Sequence, residues 1–191
     1  MRKPIALLFS LSMLFSTSIA FAQAPDSAAL LSAQREALVA FSRMDGVWRG
    51  PAWTMMSNGE KHHITQTERI GPLLDGTIKL IEGRGYDPDG RTTFNAFGVI
   101  AFDPAKRTYT LRAHAQGRYG EFAIKPTADG YVWKIPAGPM TIRYTATIKD
   151  GVLREVGDRI VEGKEPARFF EMALTRVSDS AWPGAGTISA K

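Results

Sequence analysis

From residue 47 onward, short stretches of alternating apolar and polar residues are separated by turn signals. The stretches are rich in Thr, Ile, Val, Tyr, Phe and Trp, and dipeptides such as Asn58-Gly59, Asp89-Gly90 and Asp150-Gly151 fall between them. Asn-Gly and Asp-Gly favour tight hairpins because these residues tolerate the positive φ that such turns need. The pattern predicts ten strands, at residues 47–57, 61–70, 77–87, 92–102, 107–116, 119–126, 131–136, 140–149, 152–161 and 167–177.

The short turns also predict how these strands are arranged. Strands joined by tight turns are neighbours in space and antiparallel, which gives a meander. A meander has two unpaired edges unless its ends meet, and closure removes both. We therefore predict an all-β protein, an antiparallel meander β-barrel over residues 47–177, in which the last strand pairs with the first. A closed barrel of more than eight strands has interior volume to spare, and residues 178–191 form a polar tail.

One amphipathic helix is predicted before the barrel, within residues 23–46. Residues 26–44 carry a single apolar stripe, with Asp26 or Ser27 as the N-cap and Gly46 as the stop. The stripe consists of Leu30, Leu31, Leu38 and Phe41. We expect the helix to lie across one end of the barrel; a partner-binding helix is the alternative.

The first 22 residues have the three parts of a secretory signal peptide. Arg2 and Lys3 precede an apolar run over residues 5–19, and Ala20-Phe21-Ala22 forms a small-x-small cleavage sequence. We therefore predict export across the inner membrane, a periplasmic location, and no integral membrane segment after cleavage. An uncleaved anchor and an outer-membrane barrel are the alternatives; the short loops argue against the second.

Composition narrows the classes of partner and cofactor. The net charge is +5, but basic residues are scattered among acidic ones, whereas nucleic-acid binding usually requires a basic stripe. The chain contains no cysteine, which excludes a catalytic cysteine, an iron–sulfur cluster and a thiolate zinc site. We predict no nucleic-acid partner and no cofactor.

Three segments carry a resemblance to known barrels. They are Gly46-Val47-Trp48-Arg49-Gly50, VLREVGDRIVEG at 152–163 and RFFEMALTRV at 168–177. This layout resembles the small lipocalin-like bacterial proteins of unknown function and, more distantly, the nitrobindin-type ten-stranded barrels. The resemblance implies a lipocalin/calycin-like fold. Nitrobindin-type barrels hold haem through a histidine on a late strand, and strands 152–161 and 167–177 contain none.

Candidate ligand-binding residues are large or charged side chains on the predicted strands. Trp48 is interpreted mainly as a plug at one end, with Gly50 leaving room for its ring. Glu155 and Glu171 lie among apolar residues, and burial would raise the pKa of whichever faces inward. Strand alternation does not decide which of the two faces inward. A salt bridge to Arg112 or Arg143 is the structural alternative. The full set is Trp48, Trp53, Arg112, His114, Arg143, Tyr144, Glu155 and Glu171.

Catalytic and metal sites receive little support. His62 and His63 are adjacent on one strand and point to opposite faces, and no nucleophile motif is present. The leading hypothesis is a protein that binds a small apolar or amphipathic molecule in the barrel. A cavity enzyme of the cyclase or isomerase type with a buried carboxylate, and haem binding of the nitrobindin kind, are the alternatives.

Overall fold

The computed structural model describes residues 26–184, which form a closed barrel of ten antiparallel strands in meander order. The predicted signal peptide, residues 1–22, and the last part of the predicted tail, 185–191, lie outside the described residues. The strands are β1 Gly46–Met55, β2 Lys61–Leu73, β3 Ile78–Tyr86, β4 Thr92–Asp103, β5 Thr108–Ala115, β6 Arg118–Pro126, β7 Gly130–Ala137, β8 Met140–Lys149, β9 Val152–Val161 and β10 Ala167–Ser178.

The first and last strands pair and close the ring. β10 pairs with β1 through partners such as Arg49 with Thr175 and Ala52 with Met172, and β1 pairs with β2 on its other side. The predicted fold class, an all-β meander barrel preceded by one helix, is confirmed. No helix within residues 26–184 is long and apolar enough to cross a membrane.

The predicted N-terminal helix is two helices joined end to end. α1 spans Ser27–Leu38, begins where the Asp26 carboxylate accepts a hydrogen bond from the Ala28 N–H, and continues as a 3-10 helix over Val39–Met44. A 3-10 helix has three residues per turn, so Phe41 and Met44 lie on one side, and each is 1% exposed. Leu31 is exposed instead, although it lies on the same α-helix as the buried Leu38, seven residues before it.

One end of the barrel is filled by side chains. The 3-10 helix packs there against residues that are almost fully buried, Trp48, Ile70, Ile100, Leu153 and Leu174. The Trp48 indole N–H donates a 2.8 Å hydrogen bond to the Met44 carbonyl oxygen, which ties the helix to β1. We call this the plugged end, and the predicted plug position of Trp48 agrees with it.

The other end of the barrel, which we call the open end, is not filled in this way. Inward-facing aromatic side chains there keep part of their surface accessible: Phe94, Phe122, Trp133, Tyr144 and Phe170. The barrel is therefore not a uniformly hollow cylinder. Its interior is closely filled at the plugged end, whereas the inward aromatic side chains near the open end keep contact with solvent.

Candidate functional site

Glu155 lies inside the barrel, on β9. Its cross-strand partners, Ala146 and Met172, are 1% and 3% exposed, and Glu155 itself is 7% exposed. Because side chains alternate along a strand, Leu153 and Gly157 share its face while Arg154 points outward. The inward or outward orientation that the sequence left open is thus resolved for Glu155: it is buried in the interior.

A second interior carboxylate, Glu68 on β2, was not predicted from the sequence. The Gln66 side-chain amide donates a 3.1 Å hydrogen bond to the Glu68 carboxylate, and both residues face two glycines of β3. A Cβ atom at Gly83 would lie 3.1 Å from Glu68 Oε1 and 3.2 Å from Gln66 Nε2. The glycines of the Gly83-Arg84-Gly85 segment therefore make the space that the two polar side chains occupy.

A sequence signal for Glu68 does exist. Ile64, Gln66, Glu68 and Ile70 alternate in register, and Ile70 is 1% exposed. An inward Ile70 places Glu68 on the same face. The signal becomes readable only once the orientation of β2 is known.

The two interior carboxylates are hard to ionise. Burial and then the nearby Glu155 charge raise the pKa of Glu68 to about 8, against the lowering effect of the hydrogen bond from Gln66. Burial raises the pKa of Glu155 to about 7, against the lowering effect of hydrogen bonding from the Tyr131 and Trp133 side chains. Near neutral pH the pair therefore shares protons and does not carry two full charges.

An aromatic wall stands beside Glu155, while Glu68 lies deeper, opposite Trp48 of the plug. Trp133 of β7 stacks on Tyr144 of β8, with 4.2 Å between ring centroids and an interplanar angle of 8°. Phe122 lies next to Trp133, with 5.6 Å between ring centroids, and Phe170 lies next to Tyr144, with 5.9 Å between ring centroids. Burial, and then the Glu155 charge, raise the pKa of Tyr144 to about 12, so its hydroxyl stays protonated. We call Glu68, Glu155, Trp133, Tyr144 and Phe170 the cup.

The other charged candidates from the sequence lie on the outer wall. Arg112 pairs with Glu121 at 2.6 Å, Arg143 with Asp158 at 3.4 Å, and Glu171 with Arg154 at 2.6 Å. The suggested pairing of Arg112 or Arg143 with Glu155 or Glu171 is therefore wrong. Each of these three residues pairs instead with an outward side chain on an adjacent strand. Glu155 is not available to Arg143 on the neighbouring strand, because it faces the interior.

Two aromatic or imidazole candidates also lie outside. The Lys61 ammonium lies over the Trp53 ring, 3.8 Å from the ring centroid. Trp53 is opposite His63 in the ladder between β1 and β2. His114 stacks on Tyr119, with 5.8 Å between centroids. Of the eight candidates, the structure brings Tyr144 and Glu155 together in the cup, places Trp48 in the plug, and puts the remaining five on the outer wall.

The histidines do not form a haem or metal site of the expected kind. Strands β9 and β10 contain no histidine, and the His62 ring nitrogen Nε2 lies 3.2 Å from Asp87 Oδ1. Within residues 26–184, no group of three His, Cys, Asp or Glu side chains is placed to hold a metal ion. The residues therefore do not fit haem binding of the nitrobindin kind.

Comparison with known proteins supports the fold alone. No protein-family model and no curated protein matches the chain. Among solved structures, Rv2717c from M. tuberculosis is similar, with a TM-score of 0.55 and 12% identity over 73% of this chain and 96% of that one. At this identity the likeness shows a shared barrel architecture.

Proposed function

We propose that this protein binds a small apolar or amphipathic molecule in the open half of its barrel. The observation that carries the proposal is the cup, where large aromatic side chains face inward yet keep accessible surface. Aromatic walls with a few polar groups are the usual lining of small-molecule sites. The plug at the opposite end supports the proposal, because it gives the interior a floor.

The test compares dye binding by two tryptophan variants. We expect purified protein to enhance the fluorescence of Nile red, a neutral apolar dye. Trp133→Ala removes half of the aromatic stack inside the cup and should weaken the enhancement several-fold. Trp53→Ala removes a tryptophan from the outer wall and serves as the matched control. No enhancement by folded protein, or equal losses in both variants, would contradict binding in the cup.

We further propose that the protein is exported and acts in the periplasm. The support is the sequence of residues 1–22, with its basic start, apolar run and Ala20-Phe21-Ala22. Mass spectrometry of the protein from a periplasmic fraction should give a mature chain that begins at Gln23. Recovery of the unprocessed chain from the cytoplasm would overturn this location.

A second candidate function is catalysis in the same cup. It is favoured by one observation, the inward position of Glu155 with a pKa of about 7, because a general acid works best when its pKa lies near the working pH. A molecule retained through purification would then be converted on prolonged incubation, and mass spectrometry would detect its product. Glu155→Gln should retain the molecule and stop the conversion; equal conversion by this variant would exclude the role.

A further inference from the structure

We propose that the cup selects an organic cation, whose ammonium group sits between Glu68 and Glu155 and against the Trp133–Tyr144 stack. This inference rests on the proposed function, because it names the chemical class of the molecule that the cup binds. It follows from three features of the interior: its charge, its aromatic surface and the position of its nearest arginine.

The first feature is negative charge without a cationic partner. Within the described part of the chain, no Lys, Arg or His forms an ion pair with Glu68 or Glu155. Asp158, also on β9, is buried to the same degree as Glu155, at 6% against 7% exposed. Yet Asp158 has two arginine partners, Arg168 at 2.7 Å and Arg143 at 3.4 Å. Buried carboxylates normally have a cationic partner. Asp158 has such partners, whereas Glu68 and Glu155 do not.

The second feature is the meeting of carboxylate and aromatic surface at one place. Glu155 is opposite Ala146, the next inward position of β8 after Tyr144, and the Tyr144 ring stacks on the Trp133 indole. Organic ammonium ions are attracted both to carboxylates and to the faces of Trp and Tyr rings. A cation in the cup would gain both interactions together, while its apolar part contacts Phe170 and neighbouring rings.

The third feature is the position of Arg159, two residues beyond Gly157 on the inner face of β9. Arg159 is exposed, and its guanidinium lies over the Phe169 ring, 4.8 Å from the centroid. It forms no ion pair with either interior glutamate. The basic group thus lies nearer the outside and the acidic pair deeper, so an anionic ligand would be repelled from the floor of the cup.

Three probes with the same apolar chain test the selection. Isothermal titration at pH 7.5 with octylamine, octanol and octanoate should give affinity in that order, with octylamine about tenfold tighter than octanol. Glu155→Gln and Glu68→Gln should each remove most of that difference. Glu171→Gln removes a carboxylate from the outer wall and should leave it unchanged. Circular dichroism confirms that each variant is folded.

The outcomes separate this inference from the proposed function. Equal affinity for octylamine and octanol would overturn cation selection and leave binding of amphipathic molecules standing. Tighter binding of octanoate would point to Arg159 and overturn it as well. No binding of any probe by folded protein would contradict the proposed function itself.

A pH series provides an independent readout. Octylamine stays protonated below about pH 10, like a lysine side chain. The titratable groups of the protein that face the cup are Glu68, Glu155, Tyr131, Tyr144 and Arg159. The pKa values of both tyrosines are raised, so between pH 6 and 9 the titrating groups among them are the two glutamates. Octylamine affinity should rise across this range and octanol affinity should not; a flat profile for octylamine would contradict the inference.

Discussion

At the scale of single residues, β9 shows how the same burial has opposite consequences for two acids. Glu155 faces the interior, where burial raises its pKa to about 7. For Asp158 on the outer wall, burial alone would raise the pKa, but hydrogen bonds and charge from Arg168 and Arg143 bring it below its ordinary value. Equal solvent exposure therefore does not fix the charge of a carboxylate: Glu155 lies inside the barrel without a cation, and Asp158 lies on the outer wall between two arginines.

The interior glutamates predict a pH-dependent stability. Their folded-state pKa values of about 8 and 7 lie above the ordinary 4.5, so the folded protein holds these protons more tightly than the unfolded chain. Their stabilising effect is complete below about pH 4.5 and is lost as the pH rises through 7 to 8. Urea unfolding should show the free energy of unfolding falling by an amount on the order of 6 kcal/mol between pH 5 and 9.

Glutamine variants test the source of that slope. Glu155→Gln should flatten the fall in the free energy of unfolding, because the amide does not ionise, whereas Glu171→Gln should keep the wild-type slope. An unchanged slope in Glu155→Gln would show that Glu155 is not responsible.

A buried ion pair near the plugged end gives a second prediction at this scale. The Lys79 side chain is 3% exposed, and its ammonium pairs with the Asp45 carboxylate. Burial lowers the pKa of Lys79, and the hydrogen bond and charge of Asp45 oppose that shift. Asp45→Asn should lower the free energy of unfolding by about 3 kcal/mol, because it leaves a buried charge alone. Adding Lys79→Met should recover most of the loss in urea unfolding; an effect of Asp45→Asn below about 1 kcal/mol would contradict this account.

At the scale of elements, the seam between β1 and β10 depends on one glycine. A Cβ atom at Gly50 would lie 2.1 Å from the Ala173 carbonyl oxygen. Gly50 was predicted to leave room for the Trp48 ring; the closest approach at this position is that of the β10 backbone, which the glycine allows. The motif alone does not indicate this role, because Ala173 is 123 residues away in the sequence.

Gly50→Ala should therefore weaken barrel closure. Overpacking of this kind typically costs about 1–3 kcal/mol, and contact with backbone leaves little means of relief. Gly184→Ala, at a position with no heavy atom within 4 Å of the added Cβ, is the matched control. Thermal unfolding measures both; an equal midpoint for Gly50→Ala and wild type would show that the seam adjusts freely.

At the scale of the whole molecule, the ladder between β6 and β7 is the shortest in the barrel. It contains three residue pairs, Ile124 with Trp133, Lys125 with Val132 and Pro126 with Tyr131, against eight between β7 and β8. The unpaired parts of β6 and β7 lie towards the open end, where Phe122 and Trp133 face inward. We call these unpaired parts the gap; it borders the cup.

Hydrogen–deuterium exchange should report this gap. We expect amides of residues 118–123 and 134–137 to exchange faster than those of β1 and β2, because backbone groups facing the gap lack ladder partners. A molecule bound in the cup should slow exchange in these two segments more than elsewhere. Uniform protection around the ring would contradict a weak β6–β7 seam.

Part of this organisation could be predicted from local sequence. Dipeptides such as Asp89-Gly90 and Asp150-Gly151 place φ-positive glycines at hairpins (φ of 81° and 73°), and a turn is a property of a few adjacent residues. The strand boundaries and the meander order followed from such turns. The break between α1 and the 3-10 helix did not, since packing of Phe41 and Met44 against the barrel favours the tighter helix.

The sequence by itself therefore determined the number of strands, their order and the closed barrel, because hairpin turns and alternation are short-range properties. Tertiary structure decided which face of each strand is inside and which residues meet there. Glu68 and Glu155 are 87 positions apart in the chain, and only the register and curvature of the closed sheet bring their charges within reach. The same closure placed Arg112, His114 and Glu171 outside, because the phase of a strand is set by what packs against it.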